Sequence, residues 1–144
     1  MKVLIDTNVA LDAIANRDPF YVNAQKIINL IIDNQLEGFV TANSITDIFY
    51  IARKYLNQKD LRNTMRSLLA VFSIIDVLGA DCHKAFDIPL DDYEDALLLV
   101  CSSRASIDYI VTRDDEFLHQ KKIPAPVISP IDFLQIFDEI KKHE

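Results

Sequence analysis

Basic charge, cysteine, histidine and long apolar runs are all scarce in this chain of 144 residues, and each shortage argues against a class of protein. Fifteen Lys and Arg stand against 22 Asp and Glu, a net charge of -7 at pH 7. Nonspecific adhesion to nucleic acid or to anionic membranes needs a basic surface, so neither fits. The two cysteines, Cys82 and Cys101, form no disulfide framework and no metal-ligand spacing, and the three histidines are scattered. A reducing compartment is the default for such a chain. The longest apolar runs, IINLII and ALLLVC, fall far short of the ~20 residues that a membrane span needs. No basic segment leads into an apolar stretch at the start, so no signal peptide is expected. The expectation is a cytoplasmic protein without a membrane partner.

What is present alternates between short apolar runs and helical stripes. Val3–Ile5, Phe39–Thr41, Ser73–Leu78, Tyr109–Thr112 and Val127–Ser129 read as buried strands. Phe20, Ala24, Ile27, Ile28 and Ile31 follow helical spacing, in a helix expected to stop near Gly38, one of only two glycines. Ile45, Ile48, Phe49, Ala52 and Leu56 make a second stripe, and Leu61, Met65, Leu68 and Phe72 a third. Ala96–Cys101 is apolar on every side, which predicts a helix buried beneath others. Ser129 and Pro130 are placed to start a last helix, with Phe133, Leu134, Phe137 and Ile140 facing inward. Buried runs alternating with helices imply an α/β fold with a parallel sheet covered on both faces. With no repeat, low-complexity tract or linker, residues 1–144 read as a single domain. In such sheets ligands collect beyond the carboxyl ends of the strands, where the strand order reverses.

Acids stand where that rule directs attention. The first strand runs directly into Asp6, Thr7 and Asn8; the strand IDYIVT ends in Thr112, Arg113, Asp114 and Asp115. The buried helix begins Asp91, Asp92, Tyr93, Glu94, Asp95, and Asp47 lies in the first turn of the helix after FVT. Helix capping is an ordinary use for most of these. Asp91 with Glu94, Asp92 with Asp95, and Ser44 with Asp47 all fit capping patterns, and Asp114 and Asp115 could start a short helix toward Phe117. Asp6 fits capping least, because a buried strand leads straight into it. As a set the acids demand more. Two carboxylates at ~4 Å repel by roughly 4 kcal/mol at an effective dielectric of 20. Several in one cleft need shared protons or a cation, and hard oxygen donors without His or Cys point to Mg²⁺ or Mn²⁺. Such a site suits phosphodiester hydrolysis.

LIDTNV, DYEDALLL and DYIVTRDDEF, in this order and spacing, resemble the PIN domain, a metal-dependent nuclease fold, and in particular the small toxins of VapC-type toxin–antitoxin pairs. The resemblance covers the whole chain and implies a three-layer αβα sandwich around a mostly parallel sheet of about five short strands. Carried over by residue, it implies that Asp6, Asp47, Asp95 and Asp114 are catalytic and that Asp6, Asp95, Asp114 and Asp92 hold one or two metal ions. Asn8 and Thr112 would support them. Position 47 departs from the family, most members of which carry Glu there. The implied activity is hydrolysis of RNA by in-line attack of water, in a homodimer that a small antitoxin protein inhibits. Arg113, beside Asp114, is the phosphate-contact candidate, whereas His119 and Cys101 suit a surface and a core position. The alternative is a degenerate PIN-fold module that binds RNA or a protein without cutting, which Asp47 keeps open. A receiver-like domain would need a Lys closing a late strand, and an Asp-nucleophile phosphatase prefers D-x-D after the first strand; this chain has neither.

Overall fold

Val3, Leu4 and Ile5 are all fully buried, which a strand achieves only when both of its faces are covered. The computed structural model describes residues Met1–Glu144 and shows how that cover is made. In chain order the elements are β1 (Lys2–Ile5), α1 (Thr7–Ile14), α2 (Tyr21–Ile32), β2 (Glu37–Thr41), α3 (Ala42–Ala52) and α4 (Gln58–Val71). Then follow β3 (Ser73–Ile75), α5 (Gly79–Ala85), α6 (Tyr93–Arg104), β4 (Tyr109–Val111), α7 (Asp115–His119), β5 (Val127–Ile128) and α8 (Pro130–Lys142). The strands form one sheet in the order β3-β2-β1-β4-β5, and every pairing is parallel.

Side chains alternate across the sheet and divide the core in two. Val3 and Ile5 point into a cluster with α1, α2, α3, α4 and α8, where Val9, Ile27, Ile48, Leu61 and Phe133 are buried. Leu4 and Ile110 point the other way, against Ala96, Leu97, Leu98 and Cys101 of α6 and Phe117 of α7. The result is the expected αβα sandwich, with five strands that are all parallel rather than mostly so. The chain runs outward from β1 through β2 to β3, then returns to lay β4 and β5 on the other side of β1. The order therefore reverses between β1 and β4, and a crevice opens beyond their carboxyl ends.

Several elements differ from the sequence reading. The helix expected to run to Gly38 stops at Ile32, and Asn34 in a left-handed conformation (φ 59) turns the chain into β2. Gly38 lies within that strand because Ile31 packs over it: a Cβ there would meet Ile31 Cδ1 at 2.5 Å and Cγ2 at 2.8 Å. The strand read over Ser73–Leu78 ends at Ile75, where its partner β2 ends, and the carbonyl of Asp76 is instead taken by Arg104. Ser44 does not cap a helix with Asp47. The N-cap of α3 is Thr41, so Ser44 is already helical and Asp47 lies in the second turn. Phe20 is exposed at the N-terminus of α2 rather than part of its buried stripe. Two helices had no counterpart in the sequence reading: α1, directly behind Asp6, and α5.

Gly38→Ala should cost about 1–3 kcal/mol, the usual range for overpacking a filled core. Urea unfolding should show it, with Ile31→Val in the same chain recovering part of the loss. An unchanged midpoint would mean that Ile31 moves aside freely.

Candidate active site

Pairing between β1 and β4 continues one residue past the strands, where the Asp6 amide donates to the Val111 carbonyl at 3.0 Å. This brings Asp6 level with Thr112, which is fully buried. Thr112 Oγ1 donates to Asp6 Oδ2 at 2.8 Å, and Asp6 Oδ1 accepts from the Thr7 amide at 2.7 Å as the N-cap of α1. Asn8 joins the same network: its Nδ2 donates to Thr112 Oγ1 at 3.2 Å, while its Oδ1 accepts from the Arg113 amide at 3.2 Å. Thr112 Oγ1 also accepts from the Asp114 amide at 3.2 Å. One buried hydroxyl thus ties Asp6, Asn8 and Asp114 together.

Asp92 and Asp114 repeat the arrangement at Asp6. Asp92 Oδ1 caps α6 by accepting from the Asp95 amide at 3.1 Å, and Asp114 Oδ1 caps α7 by accepting from the Glu116 amide at 3.1 Å. Three helix N-termini therefore converge, each capped by an acid whose second oxygen is not used in the cap. Capping and a functional role do not compete here. Asp91 takes no part: it is exposed, with Lys122 3.8 Å away.

These residues line one cleft of about 300 Å³ together with Thr7, Asn8, Arg17, Asn43, Ser44, Asp47, Glu94 and Asp95. All five predicted acids, Asp6, Asp47, Asp92, Asp95 and Asp114, are present, and Asn8 and Thr112 support the wall. Asp92, Asp95 and Asp114 each offer an oxygen atom, and these lie within 4.8 Å of one another. An all-oxygen set without His or Cys fits Mg²⁺ or Mn²⁺. Asn43 adds a buried side-chain oxygen with no hydrogen-bond partner.

Arg113 does not enter the cleft. Its Nε and Nη2 bind the carboxylate of Asp12 at 2.5 and 3.1 Å, and its guanidinium stacks 4.0 Å from the centre of the Phe20 ring. The basic residue that does line the cleft is Arg17, which the sequence reading passed over. Nothing in its local pattern marks it, because it lies in the turn after a helix that was itself unread. Glu94 was also passed over as a cleft residue. Its carboxyl shares a hydrogen bond with Asp47 across the cleft, bringing a longer acid from α6 to the position where Asp47 is short.

Crowded carboxyls hold protons in such a place. Burial pushes Asp95 up to about 7, with the charges of Asp92, Asp6 and Asp114 adding to the effect. Asp6 is raised chiefly by burial, against the hydrogen bonds from Thr112 and Thr7. Glu94 is raised by loss of hydration and by its bond to Asp47.

A family model described as PIN domain matches residues 2–116. Ribonuclease VapC1 of Aquifex aeolicus is 22% identical over 121 residues, covering 81% of this chain and 83% of that protein. Among solved structures, VapBC2 of Rickettsia felis bound to a DNA fragment from its promoter superposes with a TM-score of 0.65 at 16% identity, over 90% of this chain and 98% of that one. VapC20 of Mycobacterium tuberculosis, a toxin that cleaves the sarcin–ricin loop, gives 0.66 at 11% identity, over 85% and 99%.

The proton on Asp95 predicts a pH dependence of stability in the metal-free protein. The folded state holds that proton up to about 7, whereas an unfolded Asp releases it near 3.8. Between these values the folded state binds more protons, so this group's contribution falls as the pH rises. Asp95→Asn should flatten that decline and raise Tm by roughly 3–8 °C above pH 7. Calorimetry from pH 4 to 8 checks it, and a variant profile parallel to the parent's would clear Asp95 of responsibility.

Proposed function

The chain belongs to the PIN domain family, and from that membership we propose that it is a divalent-metal-dependent endoribonuclease, the toxin of a type II toxin–antitoxin pair. The observation that carries this reading is the convergence of Asp6, Asp92, Asp95 and Asp114 on one edge of the sheet, at the reversal of strand order. Carboxylates so gathered repel one another, and on Asp95 that repulsion adds to the larger effect of burial. A cation relieves the repulsion.

Asp92, Asp95 and Asp114 would hold the ion, Mg²⁺ or Mn²⁺, with Asp6 on the same wall. A divalent ion bound there supplies positive charge for the phosphoryl oxygens and lowers the pKa of a water. To act as a ligand Asp95 would have to release its proton, because a ligating carboxylate must be ionised. Thr112 keeps Asp6 oriented through its 2.8 Å hydrogen bond, and Asn8 keeps Thr112 oriented in turn. Asp47 and Glu94 line the same cleft, and loss of hydration together with its bond to Asp47 raises Glu94. The buried thiol of Cys101 lies in the core beneath α6, and the His119 ring lies on the surface. Neither is a nucleophile for this reaction.

In this reading residues 1–144 act as a single PIN domain, cytoplasmic, homodimeric and inhibited by a small antitoxin protein. The net charge of -7 suits a partner that brings basic residues to the cleft. No helix is long and apolar enough to cross a membrane.

The purified chain should cut a mixed RNA pool with Mg²⁺ or Mn²⁺ and stop with EDTA, and both Asp6→Asn and Asp95→Asn should reduce cutting by about 100-fold or more. Equal cutting by parent and variants would mean a contaminant. Calorimetric metal binding without cutting would favour the non-cleaving module that Asp47 leaves open.

A further inference from the structure

Asp12 is among the most deeply buried acids in the chain, 1% exposed, and it binds two guanidiniums rather than one. Arg113 alone satisfies both of its oxygens, through Nε at 2.5 Å and Nη2 at 3.1 Å. That fork neutralises the carboxylate. Arg17 adds a single further bond to the same group, its Nε donating to Asp12 Oδ1 at 2.8 Å. The three side chains therefore carry a surplus positive charge, where a purely structural pairing would need none.

The surplus is aimed at the cleft. Arg17 lines it and is the one basic residue among 14 lining residues, six of which are acids. Arg113 instead faces outward onto Phe20. Arg17 is also held firmly. Its Nη2 donates to the Asn8 carbonyl at 3.2 Å, its amide donates to the Asp12 carbonyl at 3.1 Å, and the Tyr55 ring lies 6.0 Å from the guanidinium carbon. Asn16, left-handed at φ 50, turns the chain just before it, and Gln25 pins that turn through the Asn16 side chain at 2.7 Å. Two of the five guanidinium N–H donors are spent, on Asp12 and on the Asn8 carbonyl. The rest remain for an anion, on a group already fixed in place.

We propose that Arg17, held over the acidic cleft by the buried carboxylate of Asp12, grips an RNA phosphate during binding, with Asp12 as its positioning residue. The inference rests on the nuclease reading above, to which it adds a contact for the substrate's backbone. A cation among the acids can bridge one phosphate; the strand on either side still meets a negative wall, and Arg17 is the cationic side chain there.

Binding, not cleavage, tests it. In an Asp95→Asn background, a short fluorescein-labelled single-stranded RNA of mixed sequence is titrated by anisotropy in Mg²⁺ across a series of KCl concentrations. Arg17→Gln should weaken binding by roughly 5–20-fold and lower the slope of log K against log [KCl] by about 0.7, the loss of one phosphate contact on a single strand. Arg17→Lys should restore the slope, because it returns the charge without the fork. If Arg17→Gln does not fold, Arg17→Met keeps the aliphatic stem and takes its place. A parent that binds RNA equally well with Gln at position 17, or a Lys variant that behaves like Gln, overturns this inference and leaves the nuclease reading intact. A parent that binds no RNA overturns this inference, and cleavage by the chain with its native acids then decides the nuclease reading.

Discussion

The hydrogen bond from Thr112 to Asp6 bridges the place where the strand order reverses, and the rest of the cleft depends on it. Its donor is fully buried, so a missing partner would leave an uncompensated polar group in the core. Its acceptor is a carboxylate at the end of a strand buried on both faces. The parallel pairing of Ile5 with Val111 sets the register that lets the two meet. A one-residue slip would turn both side chains to the other face of the sheet. From that bond the network passes to Asn8 and to the amide of Asp114, so the geometry of the site follows from strand register rather than from loops.

Helix capping explains how so many acids tolerate one another. Asp6, Asp92 and Asp114 each give one oxygen to a helix N-terminus, where the dipole favours negative charge. Asp95 lies within the first turn of α6 with no cap of its own to make, and it is the one driven up to about 7. Burial is the main cause there, with the charges of Asp92, Asp6 and Asp114 adding to it. The same side chains thus cap the helices and, in the proposed function, offer oxygens to a cation.

The sheet and the acids were legible because their signals are local. Val3–Ile5, Tyr109–Val111 and the apolar run of α6 declare burial by composition alone, and the acids follow them directly. The failures share a cause. No helix was read after Asp6, although the buried Val9, Ala10, Leu11 and Ala13 make TNVALDAI the helix that receives the Asp6 cap. Gly38 suggested a helix stop, although its lack of a side chain serves the approach of Ile31. Both answer to tertiary packing, α1 against α2 and α3 and Gly38 beneath Ile31. Asp12 was illegible for the same reason, since its partner Arg113 lies about a hundred positions away, and Arg17 follows a helix that was itself unread.

The proposed activity requires an acidic chain to hold a polyanion, and the layout of charge would resolve that conflict locally. Net charge governs long-range approach, which salt screens beyond about 8 Å at physiological ionic strength. Contact is decided inside the cleft. There the carboxylates are a liability only while no cation sits among them, and with an ion bound they become its cage. Arg17 completes the argument from the opposite sign. Its charge survives the acidic surroundings because Asp12, the carboxylate closest to it, is already matched by Arg113. A single Arg on Asp12 would have been a neutral pair. The second guanidinium leaves the wall of the cleft with a fixed positive group, and a fixed group grips a phosphate without first being ordered.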